Sequence, residues 1–70
     1  MSDRDDYLRQ CKDAAMVYAL RGDLNDAVTS MLSDLSKHHH DVSGALIVLG
    51  MMYASDHDQA GVISWIEGFR

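Results

Sequence analysis

Met16-Val17-Tyr18-Ala19-Leu20-Arg21-Gly22-Asp23 returns, 35 positions later, as Met51-Met52-Tyr53-Ala54-Ser55-Asp56-His57-Asp58. Four residues coincide: Met16 with Met51, Tyr18 with Tyr53, Ala19 with Ala54 and Asp23 with Asp58. Around them Ala15/Gly50, Ala27/Val62, Val28/Ile63, Thr29/Ser64 and Met31/Ile66 pair by size or polarity. The offset is close to the ~34-residue period of helical-hairpin repeats. The chain therefore reads as two helix–turn–helix units.

Working outward from the first copy, apolar residues recur at Tyr7, Leu8, Cys11, Ala14, Ala15 and Tyr18, the spacing of one helix face. Ser2-Asp3-Arg4-Asp5 resembles a capping box with Asp in place of Glu. Gly22 ends that helix, because glycine takes a left-handed conformation without steric cost. Asp23 caps the next one, whose stripe is Leu24, Ala27, Val28, Met31, Leu32 and Leu35. A turn this short forces the two helices antiparallel.

The second unit begins at Asp41 or Ser43. Its first helix carries Val42, Ala45, Leu46, Ile47, Val48, Leu49, Met51, Met52 and Tyr53, apolar nearly all the way round. That pattern predicts burial on most sides and a place at the centre of the fold. Ile47-Val48 favours a strand mildly, but no second strand is available to pair with it. Gly44 and Gly50 leave room for a neighbouring helix to approach. Asp56-His57-Asp58 makes the second turn, and Val62, Ile63, Trp65, Ile66 and Phe69 form the last apolar face. The expected fold is all-α, one domain over residues 1–70, with helices at about 3–21, 24–38, 42–55 and 59–68 in two antiparallel hairpins packed as a compact bundle.

Two resemblances add to this reading. Leu49-Gly50-Met51-Met52-Tyr53 resembles the Leu-Gly-x-x-Tyr opening of a tetratricopeptide repeat. Ala15 and Tyr18 stand at the matching Gly and Tyr places of the first unit. Gly22 matches the turn glycine, Ala27 the second-helix alanine, and Met31 the large apolar position. Cys11 stands where that repeat has Trp, His57 where it has Gly, and its terminal Pro is missing. The stretch from Tyr18 to His38, with Leu49-Gly50-Met51-Met52 and Trp65-Ile66-Glu67-Gly68-Phe69, is similar to a group of small helical proteins of tailed bacteriophages. This resemblance implies a phage-type gene product acting in the host cytoplasm on a host protein, defence complexes included. It carries over no catalytic residue.

Composition narrows the function. The chain has 70 residues and a net charge of −5, which opposes direct contact with a nucleic-acid backbone. The longest apolar stretch, residues 45–54, is about half the length needed to span a bilayer, and Met1-Ser2-Asp3-Arg4 does not open like a signal peptide. The single cysteine, Cys11, forms no intramolecular disulfide and reads as a small buried hydrophobe. A domain this small buries only about 60% of its unfolded surface. A homodimer is therefore expected.

No constellation of catalytic, cofactor-binding or metal-ligating residues stands out, so a binding module is expected rather than an enzyme. Met51, Met52, Trp65 and Phe69 are the candidate contact residues, because methionine and aromatic side chains are enriched at interfaces. Their helical spacing equally suits a core. If the bundle leaves part of the third helix uncovered, that part is a candidate dimer seam. Asp3, Asp5, Asp6 and Asp13 form a candidate acidic face that would meet a host protein's basic groove in place of phosphates. Arg4, Arg9 and Lys12 interleave with them and dilute the charge. The alternative function is a self-associating structural or assembly protein. His38-His39-His40-Asp41 has metal-ligand chemistry, but consecutive residues cannot all face one ion without a tight loop. Adding zinc should therefore leave the thermal midpoint where it is, and a rise in that midpoint would establish a structural site.

Overall fold

Each hairpin turn is built by the same backbone device. After α1 (Asp3–Leu20), Asp23 N–H donates to Tyr18 O at 3.0 Å and Gly22 N–H to Ala19 O at 3.1 Å. After α3 (Gly44–Ser55), Asp58 N–H donates to Tyr53 O at 2.9 Å and His57 N–H to Ala54 O at 3.1 Å. These paired bonds define the Schellman motif, which satisfies carbonyls that a helix end would otherwise leave open. The motif needs a left-handed residue, and Gly22 (φ 84°) and His57 (φ 55°) supply it. The aspartate that closes each motif also starts the following helix. Asp23 O accepts from Ala27 N–H, and Asp58 O from Val62 N–H, opening α2 (Leu24–Lys37) and α4 (Gln59–Glu67).

The computed structural model describes residues 3–37 and 42–69, with side chains from residue 6 onward. All four helices stand within a few residues of the positions expected from sequence, and the fold is an all-α bundle. Ser43 is the residue that starts α3, its hydroxyl accepting from Leu46 N–H at 3.2 Å. The third helix thus begins at Gly44 rather than at residue 42, because Ser43 is extended (ψ 148°). Ser2 of the expected capping box, and the His38-His39-His40-Asp41 run, lie outside the described residues.

The core is small-grained. Leu8, Cys11, Ala15 and Ala19 of α1 meet Leu24, Ala27, Val28, Met31 and Leu35 of α2, with Val62, Trp65, Ile66 and Phe69 closing from the other side. The sequence overlay is a structural one as well. Ala15/Gly50, Ala19/Ala54, Ala27/Val62 and Met31/Ile66 are buried in both hairpins, and Tyr18/Tyr53 are half-buried in both. Cys11 is buried, as its place on the apolar stripe predicts. The Tyr7 hydroxyl donates to the Asp34 main-chain oxygen, joining the start of α1 to the end of α2. Burial, with the Cys11 thiol and the Asp34 carboxylate nearby, pushes the Tyr7 phenol up to about 12.

The expectation that fails concerns the third helix. It is not at the centre. α2 packs against all three other helices, whereas α3 touches only α2 and α4, with no contact to α1 among the described residues. α1 takes α4 as its second neighbour, and side chains tie that pair at both ends. Gln59 donates to Ala19 O at 2.8 Å and to Leu20 O at 3.3 Å, and Lys12 donates to Glu67 O at 3.1 Å. Both ties end on carbonyls at or near helix C-termini, the groups that lack partners within their own helix. With α4 occupying that flank of α1, α3 is left on the outside.

The turns generate a prediction of opposite signs. A left-handed non-glycine residue costs about 1–2 kcal/mol, so Gly22→Ala should lower stability by about that amount. His57→Gly should raise it by about 0.5–1 kcal/mol, the strain relieved exceeding glycine's entropy cost. Chemical denaturation of the two variants checks both signs; equal effects of one sign would contradict the shared turn geometry.

Candidate functional site

The two hairpins carry equivalent grooves with different linings. On the α1–α2 hairpin, an open depression of about 450 Å³ is lined by Tyr18, Asp26, Thr29, Ser30, Ser33 and Asp34. On the α3–α4 hairpin, one of about 230 Å³ is lined by Leu46, Leu49, Tyr53, Ser64, Trp65, Gly68 and Phe69. Tyr18/Tyr53, Thr29/Ser64, Ser30/Trp65, Ser33/Gly68 and Asp34/Phe69 correspond at the repeat offset. One groove is therefore hydroxyl- and carboxylate-lined, and its counterpart is apolar. The apolar one is smaller than the ~300–1,000 Å³ of sites for drug-sized molecules; a side chain of a partner protein is a better match in size.

Trp65 decides the geometry of the apolar groove. Its ring lies against α3 at Gly50, where an added Cβ would come within 2.6 Å of Trp65 Cζ2. Its indole N–H donates to Leu46 O at 2.9 Å, and Phe69 meets it edge-on with centroids 4.9 Å apart and planes at 87°. Such an aromatic pair adds about 0.5–1.5 kcal/mol beyond its buried area. α3 is thus anchored through its small residues: only Gly50 and Ala54 of this helix are buried.

Of the larger side chains on α3, Tyr53 packs half-buried against the core and Ile47 is half-buried, while the others turn outward or line the groove. Val48 is 56% exposed, Met51 59% and Met52 55%, with Leu46 and Leu49 at 39% each. From Val42 to Ser55 the chain contains no charged residue. Five large apolar side chains on one uncharged helix are more than the scattered exposure normal for a soluble protein. Val17 and Leu20 of α1 are also exposed, but they are a single pair set between Asp13 and Arg21.

The residues singled out from sequence thus fall into different environments. Met51 and Met52 are on the open face. Trp65 and Phe69 are 5% exposed each and belong to the core, where they form the floor of the groove beside that face. Asp6 and Asp13 are exposed on α1; Asp3 and Asp5 have helical backbone, and their side chains lie outside the description. Near the first turn, the Asp23 carboxylate holds the Arg21 guanidinium at 2.9 Å, and Arg21 also stands 5.2 Å over the Tyr18 ring. That pairing is exposed and worth about 0–1 kcal/mol. Leu46, Val48 and Leu49 were not distinguishable as surface from an all-round apolar pattern. The signal that separates them is the inner stripe of small residues, Gly50 and Ala54.

Among the described residues no three His, Cys, Asp or Glu side chains gather where they could hold a metal, and no helix is long and apolar enough to cross a membrane. No protein-family model, curated protein or solved structure matches the chain.

The Trp65–Gly50 contact yields a sign test within one helix. Gly50→Ala gains helix propensity but drives a methyl group into a ring held by its own hydrogen bond, and overpacking costs about 1–3 kcal/mol. The net should be a loss of about 1–2 kcal/mol. Gly44→Ala, with nothing within 4 Å of the added Cβ, should be neutral or slightly stabilising. Thermal unfolding of the pair decides it: equal midpoints would mean that the indole does not lie across α3.

Proposed function

We propose that this chain is a protein-docking module that works by stoichiometric contact through α3, without chemistry of its own. The observation that carries the reading is the uncharged Val42–Ser55 stretch, whose helix exposes Leu46, Val48, Leu49, Met51 and Met52. Methionine suits such a surface because its unbranched, polarisable chain moulds to an irregular partner. The groove over Trp65 then offers a receptacle for one partner side chain. Its likeness to small helical proteins of tailed bacteriophages supports a phage-type origin, action in the host cytoplasm, and a host protein, defence complexes included, among its targets. Docking through the acidic residues of α1 is the weaker reading, since Arg9 and Lys12 interrupt Asp6 and Asp13.

Site-specific photo-crosslinking in the cell separates the two surfaces. A photoreactive phenylalanine analogue at Val48 should give a discrete protein adduct, and the same analogue at Asp13 should give none. Adducts from position 13 alone would assign contact to the acidic face. No adduct from position 48 would refute α3 as the docking surface.

A further inference from the structure

We infer that the occupant of the α3 face is a second copy of this chain, packed with its α3 antiparallel about a two-fold axis. The inference rests on the reading of α3 as a docking surface and sets a second copy, in place of a host protein, on that surface.

Charge is the first argument. Each copy carries a net charge of −5, so two copies repel over most approaches. α1, α2 and α4 each contain ionised residues, whereas α3 contains none. Contact through α3 is the approach that buries no charge, because both surfaces are the same uncharged face.

Area is the second argument. Val48, Leu49, Met51 and Met52, the exposed side chains around the outer stripe of α3, offer on the order of 300 Å² of apolar surface per copy, a size at which surface patches are often functional. A specific complex of standard size buries about 800 Å² per partner around an apolar centre, and this patch has the size of such a centre.

The third argument is what α3 lacks in its own chain. A 12-residue helix is marginal in isolation and depends on packing a face against something. This one buries only Gly50 and Ala54 at home. The second copy supplies the missing packing.

Shape fits the isologous arrangement. Ala45, Val48 and Met52 follow one another at i, i+3 and i+7 along the outer stripe. Antiparallel pairing centred between Val48 and Leu49 sets Ala45 of each copy opposite Met52 of the other, small against large. A two-fold contact of this kind closes on itself and produces a dimer rather than a filament.

Sedimentation of the full chain across a hundredfold concentration range tests the inference, with V48E as the first variant. The wild type should move from monomer to dimer as concentration rises, and more salt should tighten the dimer by screening the like charges. V48E should weaken the dimer by more than about tenfold while keeping its helical circular dichroism. Should V48E fail to fold, chains carrying A45C mixed with chains carrying M52C decide the matter, since the native Cys11 is buried. The mixture should form the mixed disulfide, and A45C alone should form little. A wild type that stays monomeric throughout overturns the inference, as does a dimer that V48E leaves intact or a mixture without the 45–52 disulfide. A monomer that still crosslinks from position 48 to a different protein removes the second copy and keeps the docking reading. Absence of any adduct from position 48 removes both.

Discussion

The fit of the Trp65 ring onto the bare backbone at Gly50 is the contact on which the arrangement of this molecule turns. It brings α4 against the inner side of α3, where the bare backbone at Gly50 makes room for the ring. The indole N–H is satisfied by the Leu46 carbonyl, so the ring is fixed in orientation as well as in place. A helix held by glycine and alanine has its larger side chains left over, and in α3 these are leucine, valine and methionine. The exposed apolar face and the snug inner contact are therefore one feature seen from two sides.

The internal repeat explains how these 70 residues organise themselves without proline or an intramolecular disulfide. Two Schellman turns, each closed by an aspartate that opens the next helix, are local devices and do not wait for distant contacts to form. The hairpins they produce then diverge by substitution at equivalent places. Where the first has Ser30, Ser33 and Asp34 lining a polar depression, the second has Trp65, Gly68 and Phe69. The same geometry thus yields a wetted groove on one hairpin and an oily one on the other, and only the second is continuous with an uncharged helix face.

Much of this was legible in the residues. Gly22-Asp23 marks the first turn by chemistry alone, and the overlay of Asp23 on Asp58 locates the second, although its left-handed position is filled by His57. The buried stripe of α2 follows from its spacing, and Gly50 was recognisable as a place of close approach. The position of α3 was not legible. An all-round apolar helix is buried when its neighbours surround it, and whether they do depends on which helices pair across the hairpins. That pairing rests on Gln59 and Lys12, whose polar side chains reach carbonyls 40 and 55 positions away in sequence. No periodicity reports such ties. The histidine run cannot be compared in this way, since it lies outside the described residues.

The central claim is that α3 is held by its own chain through small residues and covered by a second copy on its large ones. Amide hydrogen exchange followed at low and at high protein concentration tests it most directly. The account predicts that exchange within residues 44–55 slows selectively as concentration rises, while α1 and α2 change little. Exchange in α3 that is independent of concentration, or slowing spread evenly over all four helices, would contradict it.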